Sequence, residues 1–338
     1  MLRLILALTV ATSACAAPPD SARRLVERTG LAMGSQLRVA AWTADESTTE
    51  AAFESVFREF ERLEASLSVW RVGSDVTRLN AMAGVAPVSV GPDTIEVLTI
   101  ARQAGDWTRG KFDITFGALA DVWKFDHDQD NTVPDRSAIE ARLRLVDYTQ
   151  VQIDRGAGTA FIARTGGRVH LGGIGKGYAV DRAAALMREH GHTDFLIQAG
   201  GDLYVAGING DRPWELGIND PRGAAGASFA TIAVTNATMS TSGDYERFFL
   251  KGGTRYHHVI DPDTGEPARL CRSVTIVADR AVMADVLSTG VFILGPAEGM
   301  ALVESLPGVE AVIVSSTNAV TISSGLRGKV TQLAPPTP

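Results

Sequence analysis

Apolar positions along the chain fall into stretches of helical spacing and stretches of extended spacing. Phe53, Val56, Phe57, Phe60, Leu63 and Leu67 recur at helical spacing, which places them on one face of a core-forming helix. Ser47-x-x-Glu50 ahead of them has the form of a capping box. A second helix is predicted from Pro92-Asp93 through Ile95, Val97, Leu98 and Ile100, a third over Ser137 to Leu145, and a last one over Val282 to Leu294. Extended runs are predicted at Leu37 to Trp42 and around Val151, Phe161 and Val169. Further runs follow at Trp214 to Ile218, Ala230 to Val234, Arg255 to Ile260 and Val274 to Val277. Asp261-Pro262-Asp263-Thr264-Gly265 is a strong turn signal. Ala311 to Val314 and Ala319 to Ser323 form a hairpin turned at Ser316-Thr317-Asn318, and Ser240 to Tyr245 is a polar break.

The densest pattern lies between Arg168 and Asp202. A short extended run, Val169-His170-Leu171, leads into four glycines within Gly172-Gly173-Ile174-Gly175-Lys176-Gly177. Val180, Ala183, Ala184 and Met187 then share one face of a helix from Tyr178 to His190, stopped by Gly191. Phe195-Leu196-Ile197 is a buried strand that ends in Ala199-Gly200-Gly201-Asp202. Glycines let backbone N–H groups approach a ligand closely, and a helix N-terminus favours negative charge. Lys176 adds a mobile cation. Two readings stand on these residues: a phosphate or pyrophosphate seat, and a tight packing turn. The turn is not a Walker loop, since Gly-x-x-x-x-Gly-Lys-Ser/Thr is absent.

Composition narrows the class. The chain has 338 residues, 45% hydrophobic and 21% charged, as soluble globular proteins do. Its net charge of -7 argues against a nucleic-acid partner, which requires a basic face. No internal repeat or clear linker is present, so one α+β domain with mixed sheets and packed helices is predicted over residues 31–330. The N-terminus is separate. Met1-Leu2-Arg3, the apolar run Leu4 to Val10 and Thr12-Ser13-Ala14-Cys15 form an export signal over residues 1–17. Small residues before Cys15 resemble a bacterial lipobox, which predicts a lipid-anchored protein at the periplasmic face of a membrane; cleavage after Ala16 or Ala17, giving a soluble periplasmic protein, is the alternative. Residues 18–30 are expected to be a tether and residues 331–338 a disordered tail. The two cysteines, Cys15 and Cys271, leave no disulfide if Cys15 is lipidated or removed, and Cys271 is expected in the core.

Several residues invite chemistry. Asp285 and Thr289 lie four apart on a predicted helix and share a face. Their oxygens suit a hard cation such as magnesium; a dipole-favoured Asp with a packed Thr fits the same spacing. His257 and His258 are adjacent on a predicted strand, so only one can face a site. Asp126, Asp128 and Asp130 imitate a calcium loop, but Asn131 and Ser137 occupy its glycine and glutamate positions, leaving a solvated acidic turn. No His-x-x-x-His helix, paired-cysteine motif or Gly-x-Ser-x-Gly elbow is present, which removes the common zinc and serine-hydrolase readings.

The sequence resembles the ApbE family, the FAD:protein FMN transferases. The resemblance is carried in order by Met33-Gly34-Ser35, Ser68-Val69-Trp70 with Ser74 and Leu79-Asn80, and Phe112-Asp113 with Gly117. Leu171 to Asp181, Ala199-Gly200-Gly201-Asp202 and Thr241 to Tyr245 follow, and then His258 to Pro262 with Thr264-Gly265 and Ala284-Asp285 with Ser288-Thr289. The resemblance implies an ApbE-like domain with FAD as substrate and Mg2+ as cofactor. FMN would pass to a Thr or Ser hydroxyl of an exported or membrane acceptor protein, with release of AMP. It further implies magnesium on Asp285, Thr289 and the carbonyl of Gly173, and pyrophosphate at the glycine turn and Lys176. His258 would contact pyrophosphate or help deprotonate the acceptor hydroxyl. Met33, Trp70, Lys111, Phe112, Asp113, His170 and Val259 would line the FAD. Trp70 stands where the family often has Tyr and can still stack. His170 stands where the family usually has Asp, whose two acceptor bonds a His cannot copy. Two alternatives use the same residues: a magnesium-dependent FAD pyrophosphatase, and a flavin-binding lipoprotein without turnover.

Overall fold

Eight strands pair antiparallel into one sheet, in the spatial order Arg24–Ala32, Ser35–Thr43, Phe195–Ala199, Asp202–Ala206, Ala237–Gly243, Cys271–Ala278, Glu310–Ser315 and Val320–Ile322. The computed structural model describes residues 23–338. The predicted export signal, with Cys15, lies outside the described residues. Side chains alternate across the sheet because successive residues of a strand point to opposite faces. Phe195, Ile197, Val274, Ile276, Ala311 and Ile313 face the main core, while Leu196, Val312 and Val314 face the other side. That other side is covered by a three-stranded sheet of Trp214–Asn219, Ser228–Val234 and Val330–Gln332.

Helices α1 (Glu46–Leu67), α5 (Gly175–Glu189) and α6 (Ala281–Ser305) cover the main face; α2 (Asp75–Ala81) and α3 (Pro92–Trp107) pack against them, and α4 (Arg136–Leu143) packs on the turn Ile114–Asp121. The α+β expectation holds. In α1, buried Phe53, Val56, Phe60, Leu63 and Leu67 form the predicted stripe. α6 is long and apolar enough to cross a membrane by length and composition. It is instead a core helix, packed on the strands Cys271–Ala278, Ala237–Gly243 and Glu310–Ser315 and on α5. Burial on several sides explains its lack of a polar face. It breaks at Gly295, with φ 83°, just before Pro296, where the predicted helix ends.

The structure corrects several local expectations. The first helix is capped by Asp45, whose carboxylate accepts from Ser47 and Thr48 N–H at 3.0 and 3.2 Å; Ser47 lies inside the first turn. Much of the expected tether is the edge strand Arg24–Ala32, in which only Val26 is buried, so it carries little apolar signal. The polar break at Ser240 lies in a central strand. Its hydroxyls bond across the sheet: Ser240 to Asp202 at 2.5 Å, Thr241 to Thr275 at 2.8 Å and Thr238 to Ala278 O at 3.0 Å. The extended run at Val169 pairs with no strand. Asn80 takes the partner's place, accepting from Val169 N–H at 2.8 Å and donating to Val169 O at 3.0 Å. The C-terminal tail is docked: Asn318 donates to Pro336 O at 2.7 Å, and Thr337 Oγ1 donates to Asp220 at 2.7 Å.

One contact between α5 and α6 fixes the site described next. α6 has no side-chain cap of its own. Asp181 of α5 supplies it, accepting from Ala281 and Val282 N–H at 2.6 and 3.2 Å. Losing a cap of this kind costs about 1–2 kcal/mol. Asp181→Ala is therefore expected to lower the unfolding free energy from urea denaturation by that amount, and Asp181→Asn, which keeps an acceptor oxygen, to lose much less. Equal loss in both variants would remove the capping role.

Candidate active site

A cavity of about 870 Å3 opens where the glycine turn, the sheet and the N-terminal half of α6 meet. That is within the range of small-molecule sites. Every residue predicted for ligand or metal lines it: Met33, Trp70, Lys111, Phe112, Asp113, His170, Gly173, Lys176, His258, Val259, Asp285 and Thr289.

The floor is built by the first turn of α5 lying against α6. Gly177 N–H donates to Asp285 Oδ2 at 2.9 Å. A Cβ on Gly177 would stand 2.5 Å from Ala281 O and 2.6 Å from Asp285 Cβ, so a glycine is required for this approach. Lys176 is pinned rather than mobile. Its ammonium lies 2.9 Å from Asp202 Oδ2 and 3.4 Å from Gly172 O. Burial works against its charge, but Asp202 and Asp285 outweigh that and hold its pKa above the usual lysine range. Burial and then the neighbouring Asp202 push the Asp285 carboxyl up to about 7, against the pull of Lys176 and the Gly177 N–H. Two carboxylates therefore share one ammonium away from water.

A chain of hydroxyls crosses this floor. Ser240 donates to Asp202 at 2.5 Å, and Ser288 stands 3.3 Å from Ser240 and 2.8 Å from Ser242. Ser242 in turn lies 3.2 Å from Thr289 Oγ1. Gly173 is close by, since a Cβ there would lie 3.4 Å from that same oxygen. Among the described residues no cluster of three His, Cys, Asp or Glu side chains is arranged to hold a metal. The donors present are one carboxylate, hydroxyls and backbone carbonyls in an electronegative pocket. They fit a hard cation that keeps several waters, and magnesium is such an ion.

The walls come from distant segments. Met33 and Gly34 form the two-residue turn between paired Ala32 and Ser35, both at positive φ, 48° and 70°. Left-handed backbone is costly for Met, and Glu64 holds it by accepting Met33 N–H at 3.1 Å. Lys111 Nζ bonds to Asp261 and Asp263, each at 2.8 Å. Asp113 lines the cavity, but its carboxylate serves the chain, accepting from Thr115 N–H and Tyr148 N–H at 2.7 and 2.9 Å. Trp70 is 53% exposed at the mouth, edge-on to His127 with centroids 4.5 Å apart.

The two adjacent histidines divide as strand geometry requires. His257 ends a strand in the core, its Nε2 2.8 Å from Ala268 O and its ring edge-on to Phe292. His258 enters the cavity wall, its N–H donating to Arg247 O at 3.1 Å and its Nδ1 buried without a partner. Burial, then the charge of Arg247, hold His258 well below the usual histidine range. His170 accepts Gly172 N–H on Nδ1 at 3.0 Å, and burial lowers it to about 4. Both imidazoles are neutral at pH 7.

Sequence reasoning missed Glu64, Phe116, Asp126, His127 and Arg247 at this cavity. Asp126 belongs to the turn read as solvated, yet it forms an ion pair with Arg247 on the opposite wall. No periodicity links residues 121 positions apart in the chain.

The fold and the cavity define an enzyme-type pocket of small-molecule size over an oxygen-lined floor. A model of the ApbE family matches residues 33–313. The FAD:protein FMN transferase of Treponema pallidum (strain Nichols) is 33% identical over 323 residues, covering 91% of this chain and 89% of its own. One of that name from Klebsiella pneumoniae (strain 342) is 33% identical over 279 residues, covering 81% and 80%. Among solved structures, the ApbE protein of Thermotoga maritima MSB8 has a TM-score of 0.84 at 31% identity, covering 90% of this chain and 99% of its own. The flavin transferase ApbE of Vibrio cholerae has a TM-score of 0.81 at 26% identity, covering 91% and 99%. The chain belongs to the ApbE family.

Neutral buried histidines make stability depend on pH. His257 is 2% exposed, and burial lowers its pKa from 6.5 to about 4. The unfolded chain takes up its proton below pH 6.5, while the fold resists doing so until about 4. Stability is thus complete above pH 6.5 and falls on acidification through that window, by roughly 3 kcal/mol at pH 4 for His257. Urea midpoints measured from pH 7.5 to 4.5 are expected to fall, and to fall less steeply in His257→Gln. A level profile would contradict the neutral state.

Proposed function

We propose that this chain is a magnesium-dependent FAD:protein FMN transferase that attaches FMN to a Thr or Ser hydroxyl of an acceptor protein and releases AMP. The observation that carries this reading is the floor: Lys176, Asp202, Asp285 and Thr289 converge beneath a cavity sized for a dinucleotide-like ligand. The names borne by the relatives support the substrate.

The chemistry follows from where these groups stand. The acceptor oxygen forms a bond to the FMN phosphorus, and the bond from that phosphorus to the AMP oxygen breaks. AMP leaves with the electron pair, and the acceptor hydroxyl loses its proton. Asp285, Thr289 and the carbonyl of Gly173 would hold magnesium, which supplies positive charge against the phosphoryl oxygens. Lys176, fixed by Asp202, adds an ammonium that stays charged throughout. His258 lines the cavity with a neutral imidazole, which would serve as acceptor of the hydroxyl proton. Burial, the larger cause of its low basicity, remains, while a bound pyrophosphate brings negative charge that offsets the smaller effect of Arg247. His170 and Trp70 would flank the FAD, with His170 presenting an N–H donor from Nε2 where its Nδ1 is already engaged.

The metal assignment is tested by Asp285→Asn, which keeps the shape and removes the charge. Magnesium affinity is expected to fall, and transfer of FMN to an acceptor peptide to slow by about a hundredfold or more, with the fold retained. An unchanged magnesium titration would sink the proposed site. FMN and AMP appearing steadily without any acceptor would favour the pyrophosphatase alternative.

We further propose that the protein is a lipoprotein facing the periplasm, on the strength of Thr12-Ser13-Ala14-Cys15 after an apolar run. Cys15→Ser is expected to appear in the soluble fraction after cell lysis. Retention in the membrane fraction would count against the lipid anchor.

A further inference from the structure

We propose that Arg247 is a second anion-binding cation of this site, parked on Asp126 until a diphosphate ligand takes it. The inference rests on the transferase reading for the identity of that ligand, FAD, and deepens its phosphate subsite.

The floor has no spare positive charge. The Lys176 ammonium is bonded to Asp202, and Asp285 is a second carboxylate beside it. Even with magnesium bound, Asp202 and Asp285 cancel much of the positive charge that a diphosphate meets there, so a further cation on the walls improves the match. Lys111, the other lysine lining the cavity, is held by Asp261 and Asp263 together. Arg247 is differently placed. Its guanidinium has one carboxylate partner among the described residues, Asp126, and the two side chains are 43% and 29% exposed. An ion pair this open to water is weak and readily exchanged.

Arg247 is also close enough to act. Its carbonyl accepts the N–H of His258 at 3.1 Å, which anchors it beside the proposed proton acceptor. Its charge is felt by His258, His170 and Lys176, each of which it makes less able to hold a proton. Arg247 lines the cavity together with those three residues, so its guanidinium lies within reach of a ligand bound there. A guanidinium presents a planar fork of donors that matches the oxygens of a diphosphate, and a diphosphate offers more charge than Asp126 does. Moving Arg247 from Asp126 to the ligand replaces an exposed pair with a more enclosed one.

The test uses the full chain and compares wild type with Arg247→Ala, Arg247→Lys and Asp126→Asn. Binding of inorganic pyrophosphate in the presence of magnesium is measured by calorimetry, and KM for FAD in the transfer assay. Arg247→Ala is expected to weaken pyrophosphate about tenfold or more, and Arg247→Lys to lie between it and wild type. Asp126→Asn is expected to tighten pyrophosphate, because it releases the guanidinium. Opposite signs are the signature, since a merely structural ion pair predicts losses from both sides. Pyrophosphate binding that Arg247→Ala leaves intact, or that Asp126→Asn weakens, overturns the role of Arg247 whatever the transfer assay gives. Wild-type protein that binds pyrophosphate with the expected pattern but moves no FMN would overturn the transferase reading alone.

Discussion

The approach of α5 to α6 at Gly177 is the constraint on which the site depends. The two helices meet so closely there that any side chain on residue 177 would strike Ala281 O or Asp285 Cβ. Three bonds, running in opposite senses, lock the contact. Gly177 N–H of α5 holds the carboxylate of Asp285 on α6, and the carboxylate of Asp181 on α5 holds the first N–H groups of α6. A carboxylate buried this deeply pays a large desolvation cost unless it is bonded. The lock supplies one bond and leaves the other side of Asp285 toward the cavity. The sheet then completes the floor, because the Gly200-Gly201 hairpin brings Asp202 alongside Ser240 and Lys176.

Charge explains why these residues come as a set. Asp202 keeps the buried ammonium of Lys176 stable, and Lys176 keeps Asp285 from rising further. Removing Lys176 or Asp202 leaves an unpaired buried charge, which is far costlier than losing an exposed pair, whereas neutralising Asp285 leaves the Lys176–Asp202 pair intact. The pair of carboxylates against one ammonium makes the floor attractive to a divalent cation and unattractive to a bare anion. A phosphate ligand is thus expected to enter with its metal rather than before it.

Helices and paired strands with strong apolar periodicity were legible in the sequence. α1, α3, α5 and the first part of α6 stand where spacing placed them, because burial of an apolar stripe is what both the pattern and the fold express. The misses share a cause. Ser240 and Thr241 look like a loop because hydroxyls seldom fill a central strand, and here they are satisfied by Asp202 and Thr275 across the sheet. The strand Arg24–Ala32 and the docked tail bury too little apolar area to leave a trace. Of the cavity lining, the glycine turn, Asp285 and Thr289 could be suspected from spacing, and the family resemblance pointed to the other residues expected there. Neither route revealed that Lys176 is pinned, nor that Asp126 and Arg247 meet, since those pairings exist only once distant loops converge.

The cavity is accordingly made of two kinds of structure. Its floor consists of helix ends and sheet hairpins whose backbones are paired on several sides, so its oxygens hold fixed positions. Phosphoryl transfer depends on such positioning, because charge must be met where it develops. Its mouth consists of loops: the Met33-Gly34 turn held by Glu64, the segment around Trp70 and His127, and the turn carrying Arg247. On the proposed transferase reading, a protein acceptor would bring its hydroxyl to a phosphorus seated on that floor. Only the loop-built side leaves room for a segment of another chain, which assigns catalysis to the packed half of the fold and admission to the open half.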